Sequence, residues 1–190
     1  MASPTRSVTD YKYHLYDEVF LMKFKQFLYG ALLALFVAIP GIGHSAALTD
    51  TYENSTIDWL MRAQTLTPPT TGAYIALFTT CPTDATAGTE VTGGSYARVN
   101  YAASLANWAG TQSAGSTTAS SGTNGTTSNN NVITYPAATA DWGTVNCVGY
   151  MSASSGGTLI WYTALTASRN ITNGSTASFA AAALSLQIDN

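Results

Sequence analysis

Between Ala73 and Asp189 the chain repeatedly starts a short run of β-branched, aromatic and small apolar residues, then stops it with Gly, Asn, Ser or Pro. The runs are "AYIALFTT" (73–80), "YARVNYAA" (96–103), "NVITYP" (131–136), "GTVNCVGYM" (143–151), "TLIWYTAL" (158–165) and "ASFAAAALSLQID" (177–189). The first is almost continuously apolar, as expected of a strand buried on both faces. The second alternates, with Tyr96, Arg98 and Asn100 on one side and Ala97, Val99 and Tyr101 on the other. The connections "SASSGG" and "SRNITNGS" have hairpin length and turn chemistry. This cadence predicts an all-β fold, an antiparallel β-sandwich of the jelly-roll or immunoglobulin-like kind.

One helix is expected before the strands, over "LTDTYENSTIDWLMRA" (48–63). Asp50 would cap it, with Glu53 reaching back as in a capping box. Tyr52, Thr56, Trp59 and Ala63 share one face, flanked by Leu60, and would lie across a sheet. The prolines of "TLTPPTTG" would then stop it. A different kind of segment, "AGTQSAGSTTASSGTNGTTSNNN" (109–131), has no charge and no side chain larger than Gln. It offers little to bury, so it reads as a flexible surface loop, with an arm ordered against a neighbouring subunit as the alternative.

Ahead of the domain, residues 22–47 read "MKFKQFLYGALLALFVAIPGIGHSAA". Lys23 and Lys25 precede an apolar run of 13 residues from Phe27 to Ile39, and small residues follow Pro40 and Gly41. This is the layout of a secretory signal peptide, with cleavage expected between Ala47 and Leu48, or after Ala46. The run is short of the roughly 20 apolar residues that span a bilayer, so only an uncleaved leader would hold the chain at a membrane. Residues 1–21 carry Asp10, Asp17 and Glu18 and read as an over-extended start or a disordered leader. The domain organisation expected is therefore 1–21, 22–47, and a single domain over 48–190.

Charge limits the partners. Only 9% of the residues are charged, against roughly 25% in ordinary soluble domains. From Ala46 onward three Arg face seven acids, a net of −4. Such a surface has no basic stripe to displace counterions from a phosphate backbone, which argues against nucleic-acid binding.

The residues also lack the parts of an enzyme. No histidine follows His44 and no lysine follows Lys25, so a Ser or Cys nucleophile has no side-chain base among them. Asp58, Asp84, Glu90 and Asp141 are the carboxylates that could form an acid–base pair on a sugar. Their settings in a helix and in turns read instead as caps and turn contacts. No cofactor, metal or catalytic residue is expected. Trp108, beside the low-complexity segment, is the best exposed aromatic for stacking on a sugar ring. Cys81 and Cys147 would form a disulfide in an oxidising compartment, or stay as small buried residues in a reducing one.

Three segments in this order, "YIALFTTCPTDATAGTEVTGGSYARV", "TYPAATADWGTVNCVGYMSA" and "GGTLIWYTALTASRNITNGSTASFAAAALSLQID", resemble a family of small tailed-bacteriophage virion proteins, the tail fibre-like proteins. The resemblance covers about residues 47–189. It implies a β-rich structural protein without catalytic residues, partnered by itself and by other virion proteins. Cys81 and Cys147 depart from the family pattern, and together they suggest an acquired disulfide. The expected function is that of a non-enzymatic tail fibre or appendage protein, working by self-assembly and surface binding in host attachment. A capsid decoration or head-fibre protein is one alternative. A secreted, prophage-derived module that binds a host surface glycan is the other.

Overall fold

The computed structural model describes residues 36–38, 47–66, 73–84 and 86–188. The expectations for residues 1–21, for the remainder of 22–47 and for the helix-stopping prolines fall outside these. From Phe36 onward the described chain forms one unit.

Twelve elements follow in order. They are β1 (Phe36–Ala38), β2 (Ala47–Leu48), α1 (Asp50–Arg62), β3 (Tyr74–Thr80), β4 (Thr89–Glu90) and β5 (Val99–Asn100). Then come β6 (Thr126–Ser128), β7 (Ile133–Thr134), β8 (Gly143–Met151), β9 (Leu159–Ile171), β10 (Thr176–Phe179) and β11 (Ser185–Gln187). The main sheet runs β2-β9-β8-β3-β4, with β5 also pairing β3, and all its ladders are antiparallel. Two small sheets accompany it: β10 lies between β7 and a parallel β1, and β11 pairs β6. Among the described residues the fold is all-β and sandwich-like, with a single short helix.

Side-chain alternation explains the layering. On β3, Ile75 and Leu77 enter a large cluster that also takes Ile171 from β9 and Ile133, Phe179 and Leu184 from the smaller sheets and their connections. Ala76 and Phe78 point to a second cluster with Cys147 and Met151. Both faces of β3 are thus covered, which accounts for its unbroken apolar sequence. On β8, Val145, Val148 and Tyr150 face the large cluster while Cys147 faces the other. Strict alternation would put Val145 and Cys147 on the same face. The register shift against β9 between them reverses the parity, as a bulge does.

The later strands and the helix differ from the sequence reading in their bounds and capping. β9 is longer than expected and reaches Ile171, because its partner β8 begins at Gly143 opposite that residue. The run 177–189 is broken into β10 and β11 by a turn in which Ala182 adopts a φ of 62°. The helix begins one residue earlier in its capping than expected: Thr49, not Asp50, is the N-cap, and it makes no side-chain capping bond. Its Oγ1 donates instead to the Leu159 carbonyl at 2.7 Å. The helix ends at Ala63, whose φ of 54° is left-handed, and the Gln64 N–H returns to the Asp58 carbonyl at 3.1 Å.

The low-complexity segment is more structured than its composition implied. Thr126–Ser128 forms β6, and Asn129 is fully buried. The Asn129 Nδ2 donates to the carbonyls of Asn131 (2.8 Å) and Ala180 (2.7 Å), while its Oδ1 accepts the Leu184 N–H at 2.8 Å. A polar side chain at zero exposure is stable there because each of its bonding groups is matched.

Candidate functional site

The four carboxylates that could have formed a catalytic pair are each taken up by local structure. Asp58 pairs with Arg62 one helical turn later at 2.7 Å, in the open. Asp84 accepts the Tyr162 hydroxyl at 3.0 Å. Asp141 accepts the Asn173 backbone N–H at 2.8 Å and fastens the turn after β9. Glu90 is the most engaged. It holds Arg98 through two bonds of 2.7 and 2.6 Å and also accepts the Tyr96 hydroxyl at 3.0 Å.

That last group ties three parts of the fold together. Arg98 has a side chain only 6% exposed, and its Nη1 donates to the carbonyls of Ala153 (2.6 Å) and Gly156 (2.7 Å) in the β8–β9 turn. The Tyr96 hydroxyl accepts the Leu77 N–H at 2.9 Å. The Arg98 guanidinium is pushed up from its ordinary value, first by its hydrogen bond to Glu90. Burial pushes the Tyr96 hydroxyl well up. Both shifts favour the states already bonded: a charged Arg and a neutral Tyr. The group is a clamp rather than a proton-transfer device. Sequence reasoning missed it, although Arg98 is a lone cation on an alternating strand, and that was the available signal.

Aromatic side chains form a continuous stack. Trp108 is half-buried and meets Tyr101, Tyr150 and Trp161 edge-on at 5.2, 5.6 and 6.4 Å between ring centres. It is therefore a partner of the core, not the freely exposed platform expected from sequence. Its position follows from the neighbouring bridge between Trp108 and Asn129, which draws it inward. Trp142 is buried, donates Nε1–H to the Gly94 carbonyl at 2.9 Å, and sits edge-on to Tyr96 at 5.3 Å. This contact explains "TGGS": Gly94 has a φ of 53°, and a Cβ there would meet the Ala140 carbonyl oxygen and Trp142 Nε1 at 3.0 Å.

The two cysteines are joined. Cys81 follows β3 and Cys147 lies in β8, with Cα atoms 5.3 Å apart at a sequence separation of 66. They meet because Phe78 and Cys147 are directly opposite in the β3–β8 ladder. Among the described residues no group of three or more His, Cys, Asp or Glu could hold a metal. No helix among them is long and apolar enough to cross a membrane.

Two surfaces among the described residues are candidates for contact. A shallow hollow of about 230 Å³ lies between the start of α1 (Thr49, Thr51) and the loop carrying Thr83, Asp84 and Thr86. Its hydroxyls largely bond one another: Thr83 and Thr86 Oγ1 are 2.9 Å apart, and Thr49 is anchored to Leu159. The second surface is α1 itself, which buries no residue fully. Ile57, Leu60 and Met61 form a stripe at helical spacing, exposed by 54, 66 and 76%. Tyr52 and Thr56, on the adjoining face, are half-buried, but Trp59, expected beside them against a sheet, is 52% exposed.

The family comparison adds the decisive observation: the model of the podophage GP4 fiber I protein gp80 family matches residues 47–187. The chain belongs to this family. The match spans the whole strand-rich domain and takes in every ladder of the main sheet. It begins at Ala47, the residue after which the leader was expected to be cut. No curated protein matches the chain. A phage fibre protein built this way has its polar side chains committed to holding strands and turns together, as the four carboxylates show.

Proposed function

We propose that the protein is a non-enzymatic structural component of a phage tail fibre or appendage, acting by self-assembly and by contact through its low-charge β-surface. The observation that carries this reading is the fibre-family match over the entire folded domain. The engagement of Asp58, Asp84, Glu90 and Asp141 in local bonds supports it, because none is left poised as an acid or base opposite another. Self-assembly is supported by α1. An isolated 13-residue helix is marginal in water, and three large apolar side chains on its outer stripe gain from burial by another copy.

Sedimentation tests the assembly: the native protein should be a discrete homo-oligomer, and Leu60→Glu with Met61→Lys should return it to monomers while leaving the circular dichroism of the folded sheet unchanged. A native monomer at high concentration would refute self-assembly through this helix. Peptide mass spectrometry of purified phage particles tests the setting, with the protein expected at constant copy number per particle.

One further reading has its own support. The joined cysteines and the export-like leader favour a secreted surface module of the same fold. Recovery of the processed chain from medium or periplasm, in cells that release no particles, would favour that reading over the first. A capsid decoration role is distinguished by position on the particle.

A further inference from the structure

The expected leader junction lies inside the folded sheet. Ala47 and Leu48 form β2, opposite Tyr162 and Trp161 of β9. The next residue is fixed twice: the Thr49 N–H bonds to the Ile160 carbonyl at 3.1 Å, and Thr49 Oγ1 donates to the Leu159 carbonyl at 2.7 Å. Leu48 is half-buried against the large core cluster. Upstream, Phe36–Ala38 within the leader's apolar run is held in a second ladder, parallel to Thr176–Ser178 of β10. Ladders to β10 at Phe36–Ala38 and to β9 at Ala47–Leu48 thus pair the chain with the domain at two described points.

A protease that removes a leader must take the chain as an extended strand and bond to its backbone. The backbone around Ala47–Leu48 cannot serve the protease and β9 at once. The apolar run faces the same conflict, since Phe36–Ala38 is either part of a membrane-inserting segment or a strand on β10. We infer that this junction is a fold-gated processing site, open only while the chain is unfolded and closed once β2 pairs with β9. The inference rests on the export reading of residues 22–47. A chain threaded for export before folding loses its leader and begins at Leu48. A chain that folds first keeps its leader, with the junction strapped to the sheet. One coding sequence would then supply two products, a processed exported form and an unprocessed form retained where particles assemble.

The experiment uses the full chain in two states with purified bacterial signal peptidase in detergent, read by intact mass. In one state the protein is folded with its disulfide formed; in the other it is reduced, unfolded in urea and diluted into the enzyme. Cleavage between Ala47 and Leu48 is expected in the unfolded arm, and at least about tenfold slower cleavage in the folded arm, where the protease waits for local opening of β2. Thr49→Val, which removes one anchor, should speed cleavage of the folded protein by roughly two- to tenfold and leave the unfolded arm unchanged. Equal rates in both arms overturn the gate and leave the export reading standing. Cleavage in neither arm overturns the export reading, and the gate falls with it.

Discussion

Asn129 stands within a run of polar residues, "SNNN", that nothing in the sequence distinguishes from its neighbours. It is nevertheless the fully buried one, and its amide satisfies Ala180, Asn131 and Leu184 together. Composition could not single it out, because its role depends on β11 lying across β6. Asn129→Leu should cost about 2–4 kcal/mol in urea unfolding, since it strands buried backbone groups at about 1–3 kcal/mol each. Arg98 is comparable. Arg98→Ala leaves Glu90 partly buried without its cation and two turn carbonyls without a donor, and should destabilise by about 3 kcal/mol. Glu90→Gln restored alongside it should recover part of that loss, which a simple packing role for Arg98 would not give. The tyrosines set the alkaline limit. Burial pushes Tyr150 from 10.0 up to about 12, and Tyr96 and Tyr135 shift the same way, mainly through burial. Each is neutral in the folded protein over a range where the unfolded chain ionises. The stabilisation from Tyr150 is complete below the unfolded value of 10.0 and is lost as pH rises from there through about 12, and that from Tyr96 and Tyr135 is lost at still higher pH. Unfolding followed by tyrosinate absorbance should therefore begin above that lower value and be cooperative. Independent titration of each tyrosine without loss of structure would count against it.

At the level of elements, the long strands were legible and the short ones less so. β8 was read with its observed bounds because "GTVNCVGYM" combines a turn glycine with continuous apolar content. β3 was read within one residue for the same reason. β5 and β7 shrank to two residues each, since they pair only over a short overlap with β3 and β10. Helical spacing located α1, but not its cap, because the Thr49 hydroxyl serves β9 rather than the helix. Its apolar outer stripe could not be told from a core-facing one by periodicity alone. The disulfide belongs to this scale, because it cross-links β3 to β8 over a 66-residue separation. Closing a loop of that size is worth about 4 kcal/mol through the unfolded chain. Cys81→Ala with Cys147→Ala should lower the urea midpoint accordingly, and should leave the circular dichroism of the folded sheet unchanged. No shift in midpoint between oxidised and reduced native protein would mean that the bond does not form in solution.

At the scale of the whole molecule, fold and function rest on different features of the chain. The sandwich class followed from the spacing of strands and turns, which is local and physical. The function did not, since a low-charge β-domain can serve many ends. The settings of the four carboxylates point to structural roles, and Asp58 pairs within its own helix, but Asp84 meets Tyr162 across the fold and Asp141 meets Asn173, partners that only the tertiary structure supplies. Trp108 was drawn into the core for the same kind of reason. What remains exposed is mostly hydroxyl, amide and the apolar stripe of α1, a surface suited to contact with other copies and other proteins. The family match places the chain among podophage fibre proteins, and in the proposed role this surface is set on a tail appendage. Electron microscopy of purified phage particles, labelled with antibody raised against residues 48–190, tests that setting most directly. The account predicts label on appendages that project from the tail. Label confined to the capsid shell, or unlabelled particles beside a labelled soluble fraction, would contradict it.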